Sequence, residues 1–225
     1  LNVSQKLNQF LAVARSYAYL GFFHYLAKEE YAKAREFYEK SCEACEKAGA
    51  KSIKVMFLRG VIATSIELGE IENATSLLDN LYKYAVEVKN RYLISAAYAL
   101  RARLFRAQKR WEESIEHFEM AFKEWETLDF RRRDAYFFAR FGLCEYAKMY
   151  MERDLGSDRK KALSLLNQAL EIFQKMGAKK DIEIVEARMI RMESGQAILG
   201  PKPIGHVSTG YADFDELLYG GISPN

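Results

Sequence analysis

Cys42 and Cys45 stand two residues apart, the spacing of a redox dithiol or of half a tetrahedral zinc site. The second half is missing from the sequence, because Cys144 stands alone and His24, His117 and His206 have no ligand spacing among themselves. On a helix the two cysteines read as small apolar residues beside Ser41. No Ser or Cys sits in a nucleophile elbow, and three scattered histidines support no general base. We therefore expect no catalytic residue, no metal and no cofactor in this chain. A second set with chemical potential is basic and aromatic. Arg101, Arg103, Arg106, Lys109 and Arg110 form one cluster, and Arg131, Arg132, Arg133 and Arg140 form another. Phe105, Phe130, Tyr136, Phe137, Phe138 and Phe141 interleave with them. Guanidiniums bind carboxylates in pairs of hydrogen bonds, and rings stack on unpaired bases. The more common roles are solvated or Glu-paired arginines and core-filling rings.

What positions these side chains is an internal repeat. Ala34, Ala74, Ser114 and Ala162 recur at intervals of about 40, 40 and 48 residues. Four residues after each comes Tyr38, Leu78, Phe118 or Leu166, and seven after comes Ser41, Leu81, Ala121 or Ala169. Offsets of four and seven trace one stripe of a helix. Tyr31, Ile71 and Trp111 precede the small residue by three positions, and Arg159 breaks that series in the fourth copy. A small residue is required where two helices cross closely, since a larger one forces the axes apart. Upstream of each copy a second periodic segment offers its own close-contact candidate: Leu20-Gly21, Val61-Ile62, Ala102 and Phe141-Gly142. Each unit is helix, turn, helix.

Turn signals agree with this division. Leu68-Gly69-Glu70, Lys109-Arg110 and Leu155-Gly156-Ser157-Asp158 separate the helices of the second, third and fourth units. Gly49 and Gly177, within KAGAK and KMGAK, supply the left-handed residue that ends a helix. After Gly177 a further helix through Asp181, Ile184, Val185, Ala187 and Met189 forms a terminal cap. Few Pro (3) and few Gly (13) suit long helices. The expected fold is all-α, an α-solenoid of about four antiparallel helix pairs plus a capping helix over residues 1–193, with an extended tail over 194–225.

The small–aromatic–small second helices and the Leu-Gly or Phe-Gly first helices resemble tetratricopeptide repeats over roughly residues 5–193. The period exceeds that family's usual ~34 residues, and the closing Pro is missing. The resemblance implies a groove lined by first helices. The register from Ser114 places Arg103 and Arg106 on that face, with Arg59, Tyr136 and Arg140 at similar positions. Such a groove favours an acidic or carboxylate-bearing peptide. No Asn occupies the first-helix positions of the chaperone-binding carboxylate clamp, so the chaperone C-terminal motif is not the expected ligand.

After Met192 the composition changes. Ser194-Gly195-Gln196 and Gly200-Pro201-Lys202-Pro203 read as a linker. The segment that follows, with Ser208, Thr209, Gly210, Asp215, Glu216, Leu217, Leu218, Gly220, Gly221 and Ile222, resembles the opening of RecA/KaiC/RadA-like ATPase domains. Phe214 replaces the usual Leu, Tyr219 and Asn225 stand where Gly is common, and no phosphate-binding G-x-x-x-x-G-K-[ST] string is present. The resemblance implies a truncated or degenerate ATPase start. Tyr211, Phe214, Leu217 and Leu218 are expected to dock on the solenoid or on a neighbouring chain.

Net charge of +3 over 34 basic and 31 acidic residues lacks the basic excess of a dedicated nucleic-acid binder. No apolar run is long enough to span a bilayer, and three cysteines fit a reducing compartment, so a cytoplasmic protein is expected. Abundant Lys and Glu match the composition of thermophilic proteins. The functional expectation is a protein-interaction scaffold that docks a partner and regulates an adjoining ATPase-like domain. The alternatives are a nucleic-acid-handling module and a self-assembling homo-oligomer.

Overall fold

The computed structural model describes residues 3–27, 29–128 and 132–194. Every regular element among them is helical, so the all-α class holds. Helices α1 (Val3–Ala27), α2 (Tyr31–Lys47), α3 (Lys51–Glu67), α4 (Ile71–Glu87), α5 (Arg91–Ala107) and α6 (Trp111–Glu126) belong to one compact unit, Leu1–Glu126. The second unit, Thr127–Asn225, contains α7 (Arg132–Phe138), a π-turn (Ala139–Leu143), α8 (Cys144–Arg153), α9 (Asp158–Met176) and α10 (Lys179–Ser194). The division after Glu126 falls inside the region read from sequence as one repeat array. Residues 195–225 lie outside the described residues, and with them the expected docking of Tyr211, Phe214, Leu217 and Leu218.

In the first unit three hairpins, α1/α2, α3/α4 and α5/α6, stack in chain order. Each second helix also packs on the next first helix, α2 on α3 and α4 on α5, while α3 lies beside both α1 and α5. In the second unit α9 packs on α8, on the π-turn, on α7 and on α10, as the expected capping helix requires.

The turns follow one rule. Residues Glu29, Gly49, Gly69, Lys89 and Lys109, twenty positions apart, all have positive φ, between 51° and 77°. The residue after each sends its N–H back five positions: Glu30 to His24 is the one six-residue exception, and Ala50–Cys45, Glu70–Ser65, Asn90–Ala85 and Arg110–Phe105 all bond at 2.9 Å. These bonds satisfy carbonyls that a helix end leaves without partners. The expected stops at Gly49 and Gly177 are left-handed, with φ of 64° and 69°. Lys89, Lys109 and Glu29 do the same without glycine, at a cost of roughly 1 kcal/mol each.

Ala34, Ala74, Ser114 and Ala162 are all fully buried, at 0% exposure. Their +4 and +7 partners Leu78, Phe118, Leu166, Ser41, Leu81, Ala121 and Ala169 are buried with them. The crossings are close enough to read on the backbone. A Cβ added at Gly21 would lie 3.1 Å from the Ala34 carbonyl oxygen. The Ser114 hydroxyl donates to the Ala102 carbonyl at 2.8 Å, the Ser41 hydroxyl to Ala14 at 2.7 Å, and the Ser95 hydroxyl to Ala121 at 3.1 Å. These three hydroxyl side chains thus pair with carbonyls across their hairpins, which offsets the cost of burying them. Tyr38 occupies a slot between two glycines. A Cβ at Gly21 would meet its ring at 3.1 Å, and one at Gly60 would meet it at 2.5 Å.

Candidate functional site

Of the expected groove residues, Arg103, Arg106, Tyr136 and Arg140 are buried and Arg59 is half-buried. Arg103 is 1% exposed and belongs to a network that ties the three first helices of the first unit. Its guanidinium donates to Glu67 on α3 at 2.8 Å and to the Tyr25 hydroxyl on α1. Arg106, one turn on, donates to the same Glu67 oxygen at 2.9 Å. Arg59 donates to the Met56 carbonyl at 3.0 Å and to the Tyr92 hydroxyl at 3.1 Å, and its guanidinium lies 5.1 Å from the Tyr92 ring centroid. Burial pushes the Tyr38 hydroxyl well above its ordinary pKa, with Arg59 and Arg103 pulling the other way. The first unit therefore buries two guanidiniums and two tyrosines, Arg103, Arg106, Tyr25 and Tyr38, next to the half-buried Glu67, Arg59 and Tyr92.

The second unit builds a network of the same chemistry around the π-turn. The Cys144 N–H bonds the Ala139 carbonyl five residues back, the register of a π-helix, and such turns concentrate at functional positions. Arg140, within that turn and 7% exposed, lies 3.6 Å from Asp181 on α10, and the Tyr136 hydroxyl donates to Asp181 at 3.1 Å. Burial raises the Asp181 carboxyl pKa, opposed by Arg140 and by the Tyr136 hydrogen bond. Burial also works against the Arg140 charge, but Asp181 holds that guanidinium above its ordinary range. Separately, Arg153 grips Asp158 with two hydrogen bonds of 2.8 Å, and Asp158 accepts the Leu155 N–H at 3.0 Å. That arrangement closes the α8–α9 turn.

The groove expectation is therefore corrected. Register placed Arg103, Arg106, Tyr136 and Arg140 on first-helix faces, but Glu67, Tyr25 and Asp181 come from other helices and cover them. Arg59 and Arg103 belong to one unit, Tyr136 and Arg140 to the other. Phe130 and Arg131 lie outside the described residues.

What sequence reading did not find is a half-buried aromatic ladder on α4, α5 and α6. Tyr82 and Tyr98 pack with centroids 5.6 Å apart and hydroxyls 3.2 Å apart. His117 lies edge-on to Tyr98 at 6.1 Å and to Phe105 at 4.9 Å. Arg101 lies over Tyr82 at 5.2 Å and Arg110 over Phe105 at 4.4 Å. The hydrogen bond with Tyr82, then burial, pushes Tyr98 up to about 12. Arg101 and Phe105 stood out in the sequence, but Tyr98 and the partners on α4 and α6 did not. Both arginines are ion-paired, Arg101 to Asp79 at 2.6 Å and Arg110 to Glu113 at 2.8 Å.

The cysteines are buried thiols. Burial lifts Cys42 to about 12 and Cys144 to about 11, and raises Cys45. The Cys42 thiol contacts the Lys54 carbonyl at 3.8 Å. His24 pairs with Glu30 at 2.7 Å and stacks on Phe37, and no cluster of three metal-ligating side chains exists among the described residues. Among the described residues no helix is long and apolar enough to cross a membrane. No family model matches the chain, and no curated protein is significantly similar to it.

Proposed function

We propose that this chain is a helical-repeat docking scaffold of the tetratricopeptide type, which holds a protein partner beside the ATPase-like segment that begins near Ser208 and so regulates it. The observation that carries this reading is the complete burial of each recurring small residue, Ala34, Ala74 and Ser114 in the first unit and Ala162 in the second. Stacked hairpins of this kind bury one face of each helix and offer the rest as an extended surface. The arginine chemistry is spent inside, on Glu67 in the first unit and Asp181 in the second, which rigidifies each unit. We place the protein in the cytoplasm, in keeping with its free, buried cysteines.

A nucleic-acid role draws on the aromatic ladder, whose rings could stack bases. Asp79 and Glu113 neutralise its two arginines, which weakens that reading. A peptide-display selection on the full chain tests the proposal. Enrichment of amphipathic helical sequences supports it. Failure to enrich any peptide, together with tight binding of a single-stranded oligonucleotide, refutes it.

A further inference from the structure

The first and third hairpins are built alike. Tyr17 and His24 on α1 pack on Phe37 of α2, with centroids 6.2 Å and 5.3 Å away. Tyr98 and Phe105 on α5 pack on His117 of α6 in the same order and at the same seven-residue spacing. Tyr17 thus occupies the place of Tyr98, and Leu20 that of Arg101. On α5 this face is covered by the preceding helix, where α4 lays Tyr82 against Tyr98 and Asp79 against Arg101. On α3 the preceding helix α2 does the same, with Glu46 reaching Lys54. Within the first unit α1 packs on α2 and α3, and no described helix precedes it to cover the corresponding face.

That face is a seam of strict four-and-three spacing: Lys6, Phe10, Val13, Tyr17 and Leu20. Val13 is 44% exposed and Phe10 36%, although both belong to the most apolar of the long helices. Electrostatics specify what fits. First helices are basic: α1 carries Lys6 and Arg15 with no acidic residue, and α5 carries Arg91, Arg101, Arg103 and Arg106 with none. Second helices that follow them tend the other way. The sequence of α4 has Glu72, Asp79 and Glu87 against Lys83, and α6 has six glutamates against Lys123. Basic first helices are packed by neutral or acidic second helices, and at each covered junction the acid comes from the covering helix.

We propose that the α1 seam docks an acidic amphipathic helix of a protein partner, which takes the position that α4 takes on α5. The inference rests on the docking-scaffold reading and names its surface and the chemistry of its partner. A second copy of α1 is a poor occupant, because two helices without acidic residues would face each other with like charge.

The probe is a labelled synthetic peptide copied from Glu70–Val88 of this chain, the α4 segment, titrated into the full chain by fluorescence anisotropy. Saturable binding is expected. Val13→Glu, at an exposed position, should weaken it by about tenfold or more by placing an unpaired charge in the seam, and Lys6→Glu by a few-fold. Val88→Glu, exposed in the turn after α4, should leave it unchanged, and circular dichroism should show all three variants folded. Four results overturn the proposal: no saturable binding, equal affinity for Val13→Glu, preferential binding to phosphatidylserine vesicles, or a dimer in sedimentation that Val13→Glu dissociates. If display selection yields helical ligands whose affinity is insensitive to Val13→Glu, this surface is wrong while the scaffold reading stands. If selection yields none and a single-stranded oligonucleotide binds tightly, both fall.

Discussion

Gly60→Ala should destabilise the first unit, against the ordinary rule for helices. In an open helix interior alanine is favoured over glycine by about 1 kcal/mol. At Gly60, within α3, the new Cβ would lie 2.5 Å from Tyr38 Cδ1 and Cε1 and 2.6 Å from Cγ. These are the near atoms of the ring, not the flexible end of a long chain. The ring cannot retreat, since on its other side a Cβ at Gly21 would already be 3.1 Å from both Cδ atoms, and Tyr38 is buried. Overpacking of this kind costs typically about 1–3 kcal/mol. The clash should cancel or outweigh the propensity gain and leave a net loss of up to about 2 kcal/mol. Urea unfolding followed by circular dichroism measures it, with the same substitution made in a Tyr38→Leu background. There the slot is empty, and Gly60→Ala should become neutral or stabilising, a coupling of more than about 1 kcal/mol. If Gly60→Ala stabilises the wild-type chain by the full propensity difference, Tyr38 does not sit between the two glycines and the reasoning fails.

Glu67→Gln removes the carboxylate shared by Arg103 and Arg106 and leaves buried positive charge, so a loss of about 3–5 kcal/mol is expected in the same unfolding assay; a change below about 1 kcal/mol would show that the network is solvated. Lys109→Gly, at φ 58°, should stabilise the chain by about 0.5–1 kcal/mol, and a loss of stability would contradict the left-handed assignment. The hydrogen bonds from Arg153 hold the Asp158 carboxyl below its ordinary range, so its stabilisation is complete above the unfolded carboxylate value of about 3.9 and is lost as pH falls through the lower folded value. Asp158→Asn should therefore cost stability at neutral pH and lose less than wild type on acidification; parallel pH profiles refute this. With Cys42 lifted to about 12 by burial, thiol reagents at mildly alkaline pH should label the native chain only as fast as it unfolds, and rapid stoichiometric labelling would count against the buried placement.

The helices and their crossings were legible because Ala34, Ala74, Ser114 and Ala162 are constrained by sterics that act at one position in each hairpin. Turns closed by Gly49, Gly69 and Gly177 were legible for the same local reason. The turns at Glu29 and Lys89 were not, because a left-handed lysine or glutamate carries no sequence mark. The arginine sites were misread for a different cause. Register along α5 shows which way Arg103 points, but its partners Tyr25 and Glu67 lie 78 and 36 residues away in sequence. Periodicity carries no information about which carboxylate a neighbouring helix will supply. Tyr38 between Gly21 and Gly60 was hidden likewise, since the second glycine belongs to the next hairpin. The unpartnered seam of α1 became visible only when its stacking on Phe37 could be compared with that of α5 on His117.

The salt dependence of binding tests the docking role most directly. Full chain should be titrated with a selected helical peptide and with a single-stranded oligonucleotide while monovalent salt rises from about 50 to about 200 mM. A peptide held mainly by an apolar seam should lose less than about tenfold in affinity over that range. The oligonucleotide should bind weakly throughout. If it binds more tightly than the peptide and loses about a thousandfold or more across the same range, the chain handles nucleic acid and the docking account is wrong.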